Sequence, residues 1–291
     1  MVARLVRVLA VCVVAMVSAR YGLAQEAVAV SRPLAEFAAV ADIQYADKEM
    51  AGTRNFRSAP AKLAAMGRQL LERQPPPAFV IGLGDFTDGR KPAALAKKDV
   101  ATMAAAVQAI PLPWHYVLGN HDAAAGRKLL NDTLAFKKYY YDFTHPSCPG
   151  WRFVVLDGND AGYGMLSQPQ LVWFKDVLLR AVAGGERVVC FCHFPLLKEA
   201  VHGNHRAANP EAVLAVMDQA GGVVAWIAGH DHAGGYALRR GVHHLTLQGL
   251  CETTDSTAFA VVRLFPDHIS VTGCGRVPSR ELPLLSTGIS R

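Results

Sequence analysis

Six residues of this chain have side chains suited to holding divalent cations, and each sits in a short polar cluster: Asp42, Asp85, Asn120, His193, His230 and His232. Carboxylate and amide oxygens mixed with imidazole nitrogens suit borderline and hard cations such as Mn²⁺, Fe²⁺ or Zn²⁺. A carboxylate that bridges two such cations needs neighbours of this kind, and a cation pair activates water to hydrolyse a phosphate ester or anhydride. The clusters differ in weight. Gly84-Asp85-Phe86-Thr87-Asp88 alone also fits a turn with a helix cap, and a lone His193 fits an ordinary hydrogen-bonded histidine. Gly119-Asn120-His121-Asp122 crowds three polar side chains into one tight turn. His230 and His232, at i and i+2, can converge on adjacent metals. The combination carries the reading.

Each cluster follows an apolar run. Residues 37–41 lead into Asp42, 79–83 into Asp85, 115–118 into Asn120, 188–192 into His193 and 223–228 into His230. Chemistry placed just past the carboxyl ends of strands is the habit of open α/β sheets. Residues 59–73, 93–109, 168–182 and 210–220 have helical spacing, with Ser167 and Asn209 as candidate N-caps. Residues 243–248, 258–264 and 268–273 read as strands with no helix between them, and Phe265-Pro266-Asp267 as a hairpin turn. A βα-alternating body that closes on a β-rich end predicts two packed sheets flanked by helices. No linker divides it.

With 291 residues, 51% of them hydrophobic, the chain can bury one large α/β core. Arg4 and Arg7 precede an apolar run over 8–17 and then small residues, the pattern of a secretory signal peptide. That run is shorter than the ~20 apolar residues of a membrane span. We therefore expect residues 1–24 to be a signal, residues 30–291 to be one domain, and the mature chain to be exported (periplasmic or secreted) with no stable membrane span. Loss of 1–24 removes Arg4, Arg7 and Arg20 and no acid, so the net charge falls from +6 to +3. That is too mild to indicate nucleic acid, though it suits an anionic small molecule. Cys148, Cys190, Cys192, Cys251 and Cys274 show no CxxC spacing and read mostly as small buried hydrophobes.

The ordered set Asp42-x-Gln44, Gly84-Asp85-x-x-Asp88, Gly119-Asn120-His121-Asp122, His193-Phe194-Pro195 and Gly229-His230-Asp231-His232 resembles the calcineurin-like metallophosphoesterases. The resemblance runs from Asp42 to about Ala260 and implies an α/β, four-layer αββα sandwich of two mixed β-sheets. It implies that Asp42, Asp85 and His232 hold one metal, and that Asp85 (bridging), Asn120, His193 and His230 hold the other. His121 would act on the substrate phosphate with Asp122 orienting it. The family usually has His where Gln44 stands; an amide oxygen is a weaker, neutral ligand that can bind Mn²⁺ or leave the position to water. In the purple acid phosphatase branch a tyrosine occupies the position of Asp88, so a ferric tyrosinate centre is not expected.

Three further stretches are similar to the manganese-dependent ADP-ribose/CDP-alcohol diphosphatases. They are the opening around Gln44, Gly229-His230-Asp231-His232-Ala233-Gly234-Gly235-Tyr236, and the run over 244–253. Thr53-Arg54-Asn55-Phe56-Arg57-Ser58 resembles their basic segment, which makes Arg54 and Arg57 candidates for a second phosphate; a solvated basic turn fits them equally. The resemblance implies two Mn²⁺ ions, with Fe²⁺ or Zn²⁺ as alternatives, and a phosphorylated small-molecule substrate of nucleoside-diphosphate type. Two other readings stay open: a broad phosphomonoesterase or cyclic-nucleotide phosphodiesterase on the same centre, and a non-catalytic metal-stabilised binding module. A scaffold has no need of the phosphate-facing imidazole of His121.

Overall fold

A computed structural model describes residues 33–285 except 135, 137 and 255; the expected signal over 1–24 lies outside the described residues. Among the described residues, twelve strands form two six-stranded sheets. The first has the order β12-β11-β10-β1-β2-β3, built from β1 (Ala35–Val40), β2 (Val80–Gly82), β3 (Trp114–Tyr116), β10 (Ala258–Leu264), β11 (His268–Gly275) and β12 (Arg280–Pro283). The second has the order β4-β5-β6-β7-β9-β8, built from β4 (Tyr141–Phe143), β5 (Trp151–Leu156), β6 (Arg187–Cys192), β7 (Val223–Ala228), β8 (Gly235–Arg239) and β9 (Val242–Thr246). Both sheets are mixed. β1, β2 and β3 run parallel, as do β5, β6, β7 and β9, and the remaining pairings are antiparallel.

The period-2 alternation of β1 explains the layering. Phe37 and Ala39 face the second sheet, in one core with Phe79, Ile81, Phe153, Val189, Phe191 and Ile227. Ala38 and Val40 face outward and pack on helices α1 (Ala59–Leu71) and α2 (Ala93–Gln108). The outer face of the second sheet, through Val154, Cys190 and Trp226, packs on α5 (Gln168–Ala183) and α6 (Pro210–Ala220). Helix, sheet, sheet and helix make the expected four layers. The helices form where apolar residues recur at helical spacing, as with Leu63, Met66 and Leu70 of α1.

The sequence-based expectation omitted β4, β5, β8, β12 and two short helices, α3 (Asn120–Ala125) and α4 (Arg127–Leu134). β4 and β8 have no fully buried face, so they lack clear alternation. Ser167 caps α5 by accepting from the Gln170 amide, whereas Asn209 makes no side-chain cap to α6. The described cysteines are free, and all but Cys274 are buried. No helix among the described residues is long and apolar enough to cross a membrane.

Phe37 is the centre of the inter-sheet core. It stacks on Phe79 at 5.0 Å and meets Phe153 and Phe191 edge-on at 5.7 and 5.6 Å. Truncating it leaves a cavity between the sheets. Phe37→Ala should lower unfolding stability by about 3–5 kcal/mol in denaturant titrations.

Candidate metal centre

The carboxyl ends of β1, β2 and β3 deliver Asp42, Asp85 and Asn120, and those of β6 and β7 deliver His193, His230 and His232. The chain must turn sharply at each end. Asp42, Gln44, Asp85 and His230 all adopt left-handed backbone with φ of 50°, 43°, 54° and 68°. Such conformations cost about 1–3 kcal/mol each outside glycine and persist only where the surroundings enforce them. Backbone hydrogen bonds enforce them here: Asp42 N donates to Gly84 O (3.2 Å), Gln44 N to Asp85 O (2.7 Å) and Gly229 N to His193 O (3.1 Å). Gly119 is required by space, because a Cβ there would lie 2.0 Å from Asp85 Oδ1.

The six residues converge. Asp85 Oδ2 lies 3.3 Å from His193 Nε2, which also lies 3.1 Å from Asn120 Oδ1 and 3.2 Å from His230 Nδ1. His193 donates its Nδ1–H to the Leu83 carbonyl at 2.8 Å. That bond fixes the tautomer whose Nε2 lone pair faces the cluster. His230 Nε2 meets the Tyr163 hydroxyl at 3.0 Å, which leaves Nδ1 on the inner side. On the other flank, His232 Nε2 lies 3.5 Å from Asp42 Oδ1, and its Nδ1 donates to Glu252 Oε1 at 2.7 Å. A carboxylate behind a ligating imidazole is the usual orienting device for metal-binding histidine. Gln44 joins the two flanks by donating its amide to Asp85 Oδ2 at 3.3 Å.

This donor set fits a pair of divalent cations. Asp42 is fully buried, and its Oδ1 has no hydrogen-bond donor, which is a costly state for a carboxylate oxygen. Protons gather where cations would sit. Burial opposes a charge on His193, yet the Asp85 carboxylate overcomes it and lifts the imidazole to about 9. Burial likewise opposes a charge on His232, and Asp42 lifts it to about 11. Asp85, despite its burial, is held below the usual carboxylate range chiefly by His193. His230 is pushed down to about 3 by burial and by the charge on His193.

His121 lies at the edge of the cleft, about one-third exposed. Its backbone N donates to Asp85 Oδ1 at 2.9 Å, and its Nδ1 meets the Asp88 carbonyl at 2.9 Å. Asp122 does not orient it, contrary to expectation. The Asp122 carboxylate is fully buried and accepts from the amides of Phe86 (2.9 Å), Thr87 (3.2 Å) and Gly119 (3.2 Å). It pins the Asp85 turn to the Asn120 turn. Burial and the nearby Asp85 raise its carboxyl to about 7.

Arg54 lines the cleft of about 270 Å³ that also contains Gln44, Asp85, His121, His230 and His232. It lies 3.5 Å from Glu252 Oε1. Arg57 does not line the cleft. It points outward into ion pairs with Asp47 (2.7 Å) and Glu49, because acidic residues close in sequence capture an exposed guanidinium. Four residues join the site without having been singled out for it: Tyr163, His205, Asp231 and Glu252. Asp231 is buried and accepts from the His202 backbone, and His205 lies 3.7 Å from it. Asn209 exchanges hydrogen bonds with the backbone of Leu166 and so holds the turn that carries Tyr163. Asp231 and Glu252 carried a hint, since both lie in stretches matching the family; Tyr163 and His205 carried none.

Residues 35–234 match the family model described as calcineurin-like phosphoesterase. Proteins named manganese-dependent ADP-ribose/CDP-alcohol diphosphatase are similar over most of the chain. That of Mus musculus is 28% identical across 86% of this chain and 93% of its own length. That of Bos taurus is 29% identical across 86% and 94%. A dimetal phosphatase from Danio rerio has a similar structure, with a TM-score of 0.79 at 27% identity, covering 87% of this chain and all of that one. A purple acid phosphatase from yellow lupin shares the fold, with a TM-score of 0.60 at 12% identity over 85% of this chain and 54% of that one.

The raised imidazoles give the metal-free protein a distinctive pH response. A folded-state value above the ordinary 6.5 stabilises below 6.5, and that stability is lost as pH rises through about 9 for His193 and onward to about 11 for His232. With a chelator, the melting temperature should therefore fall from pH 6.5 to 9. With Mn²⁺ it should rise over the same interval, because cations displace those protons more easily at higher pH. Parallel melting curves measure this, and equal slopes would show that the imidazoles do not face the cations.

Proposed function

The chain belongs to the calcineurin-like phosphoesterase family and is a metal-dependent phosphohydrolase; from that premise we propose that it cleaves the diphosphate of ADP-ribose- or CDP-alcohol-type substrates. Two divalent cations, when bound, lower the pKa of water and neutralise charge on the phosphate undergoing attack. Asp42, Gln44, Asp85 and His232 would hold one, and Asp85, Asn120, His193 and His230 the other. Manganese suits this mixture of oxygen and imidazole donors, and the similar proteins from mouse and cattle are named manganese-dependent.

The observation that carries the diphosphate reading is the position of Arg54. Its guanidinium lines the same cleft as the ligand cluster and His121, so a second anionic group can be held beside the phosphorus under attack. Among the described residues, the Arg54 guanidinium has a 3.5 Å approach to Glu252 through Nε, which leaves its terminal N–H groups to pair with phosphate oxygens. His121 acts from another side. The Asp88 carbonyl takes its Nδ1–H, and Nε2 is left to face the substrate. As an imidazolium the ring would donate from Nε2 to an equatorial phosphate oxygen or pass that proton to the leaving oxygen, which leaves the neutral Nδ1–H tautomer.

Turnover of ADP-ribose, CDP-choline, a cyclic nucleotide and an aryl phosphate, each with Mn²⁺, tests the assignment. The two diphosphates should be the better substrates; equal or faster hydrolysis of the aryl phosphate would reject the reading in favour of a broad monoesterase. Arg54→Ala should raise KM for diphosphates about tenfold, the scale of one lost charge-assisted contact, with little change for the aryl phosphate. Arg57→Ala should change neither. His121→Ala should retain bound Mn²⁺ by elemental analysis while turnover falls about 10²–10⁴-fold; loss of metal would mean that His121 is a ligand.

A further inference from the structure

Lys62 is a charged residue on the inner face of α1, where its neighbours in the helix are Leu63, Met66 and Leu70. It is only 8% exposed. Its Nζ donates to three backbone carbonyls of one loop: Leu250 at 2.9 Å, Glu252 at 2.9 Å and Thr253 at 2.7 Å. Burying an ammonium is unfavourable unless its N–H groups are satisfied, and three converging carbonyls are among its partners.

The caged loop lies directly behind the metal centre. Its amides are tied to the strand end that carries Asp42, Leu250 N donating to Ala41 O (2.9 Å) and Cys251 N to Asp42 O (3.0 Å). Thr253 N donates to Thr53 O at 2.7 Å, and Thr253 itself has a left-handed φ of 63°. With its amides committed, the loop turns the three carbonyls toward α1. The same loop carries Glu252, which accepts from His232 Nδ1 and Thr53 Oγ1 and lies 3.5 Å from Arg54.

We propose that Lys62 is a positioning residue for the Glu252–His232 pair: by caging the carbonyls of 250, 252 and 253 it holds the Glu252 carboxylate on His232 and so sets cation affinity on the Asp42 side of the centre. The inference rests on the dinuclear reading of the site. It has a definite sign. A buried positive charge near two cations repels them, so if Coulomb repulsion were its main effect, removing Lys62 would tighten binding. If Lys62 acts by holding Glu252 in place, its removal weakens binding.

Calorimetric titration of the full chain with Mn²⁺ decides between these. In Lys62→Ala one of two binding steps should weaken ~10-fold or more, the scale of a lost partner behind a ligand, while the other changes little. Propylammonium, which can refill the cage, should restore the step; tetramethylammonium, which has no N–H, should not. Lys62→Gln keeps two N–H donors and should fall between wild type and Ala, which serves if the Ala variant does not fold. Glu252→Gln should weaken the same step, and adding Lys62→Ala to it should weaken that step no further. Unchanged or tighter binding in the Lys62 variants, or additive losses in the double variant, would overturn the role of Lys62 alone. A wild type that takes up fewer than two Mn²⁺ would overturn the dinuclear reading as well.

Discussion

Two carboxylates, Asp42 and Asp85, sit almost without solvent contact at the ends of neighbouring parallel strands, and the rest of the centre answers their charge. Buried carboxylates either take up protons or find cations and donors. Here the first sheet supplies the carboxylates and the second supplies three imidazoles, so neither sheet can make the site alone. The separation of the sheets at that level is therefore a functional distance. Phe37 in β1 packs against Phe191 in β6 at 5.6 Å, five residues before Asp42 on one strand and two before His193 on the other. The aromatic core that stabilises the fold also sets how closely carboxylate and imidazole approach.

Around this core the loops divide the labour. Asp122 spends its carboxylate on three amides and binds the Asp85 turn to the Asn120 turn. Glu252 spends its own on His232 and Thr53. Acidic side chains buried close to the centre thus differ in duty. Asp42 leaves one carboxylate oxygen without a donor, whereas Asp122 and Glu252 use theirs on donors within the protein. Their environments decide which: Asp42 Oδ1 has no donor, while Asp122 has one amide on Oδ2 and two on Oδ1. The cleft rim belongs to Arg54, His121, Tyr163 and His205, side chains from three loops and the first turn of α3.

Much of this was legible in the sequence. The strands ending at Asp42, Asp85, Asn120, His193 and His230 were readable because each is an apolar run broken by a polar cluster. The four long helices were readable from periodicity, and the four-layer order follows from alternating strands and helices. The β4 and β8 edges were not, since a half-exposed strand has no pattern distinct from a loop. In the site, Gln44 was found as a departure from a motif. Glu252 was legible only as a member of a matching stretch and Lys62 not at all, because a carboxylate behind an imidazole and an ammonium behind a loop have no fixed spacing from what they support.

The sequence by itself determined the types of the candidate ligands, their order and their attachment to strand ends, because covalent proximity fixes which residue follows which strand. Only the tertiary structure decided what each non-ligand residue does. Asp122 adjoins His121 in the chain, yet the helical turn at Asn120 directs its carboxylate down into the Phe86 and Thr87 amides. Arg54 and Arg57 lie three residues apart, yet one faces the cleft and the other is drawn to Asp47 and Glu49. Adjacent residues in a turn diverge in space, and distant ones such as Lys62 and Glu252 meet. Those outcomes depend on how the layers pack, which no local pattern encodes.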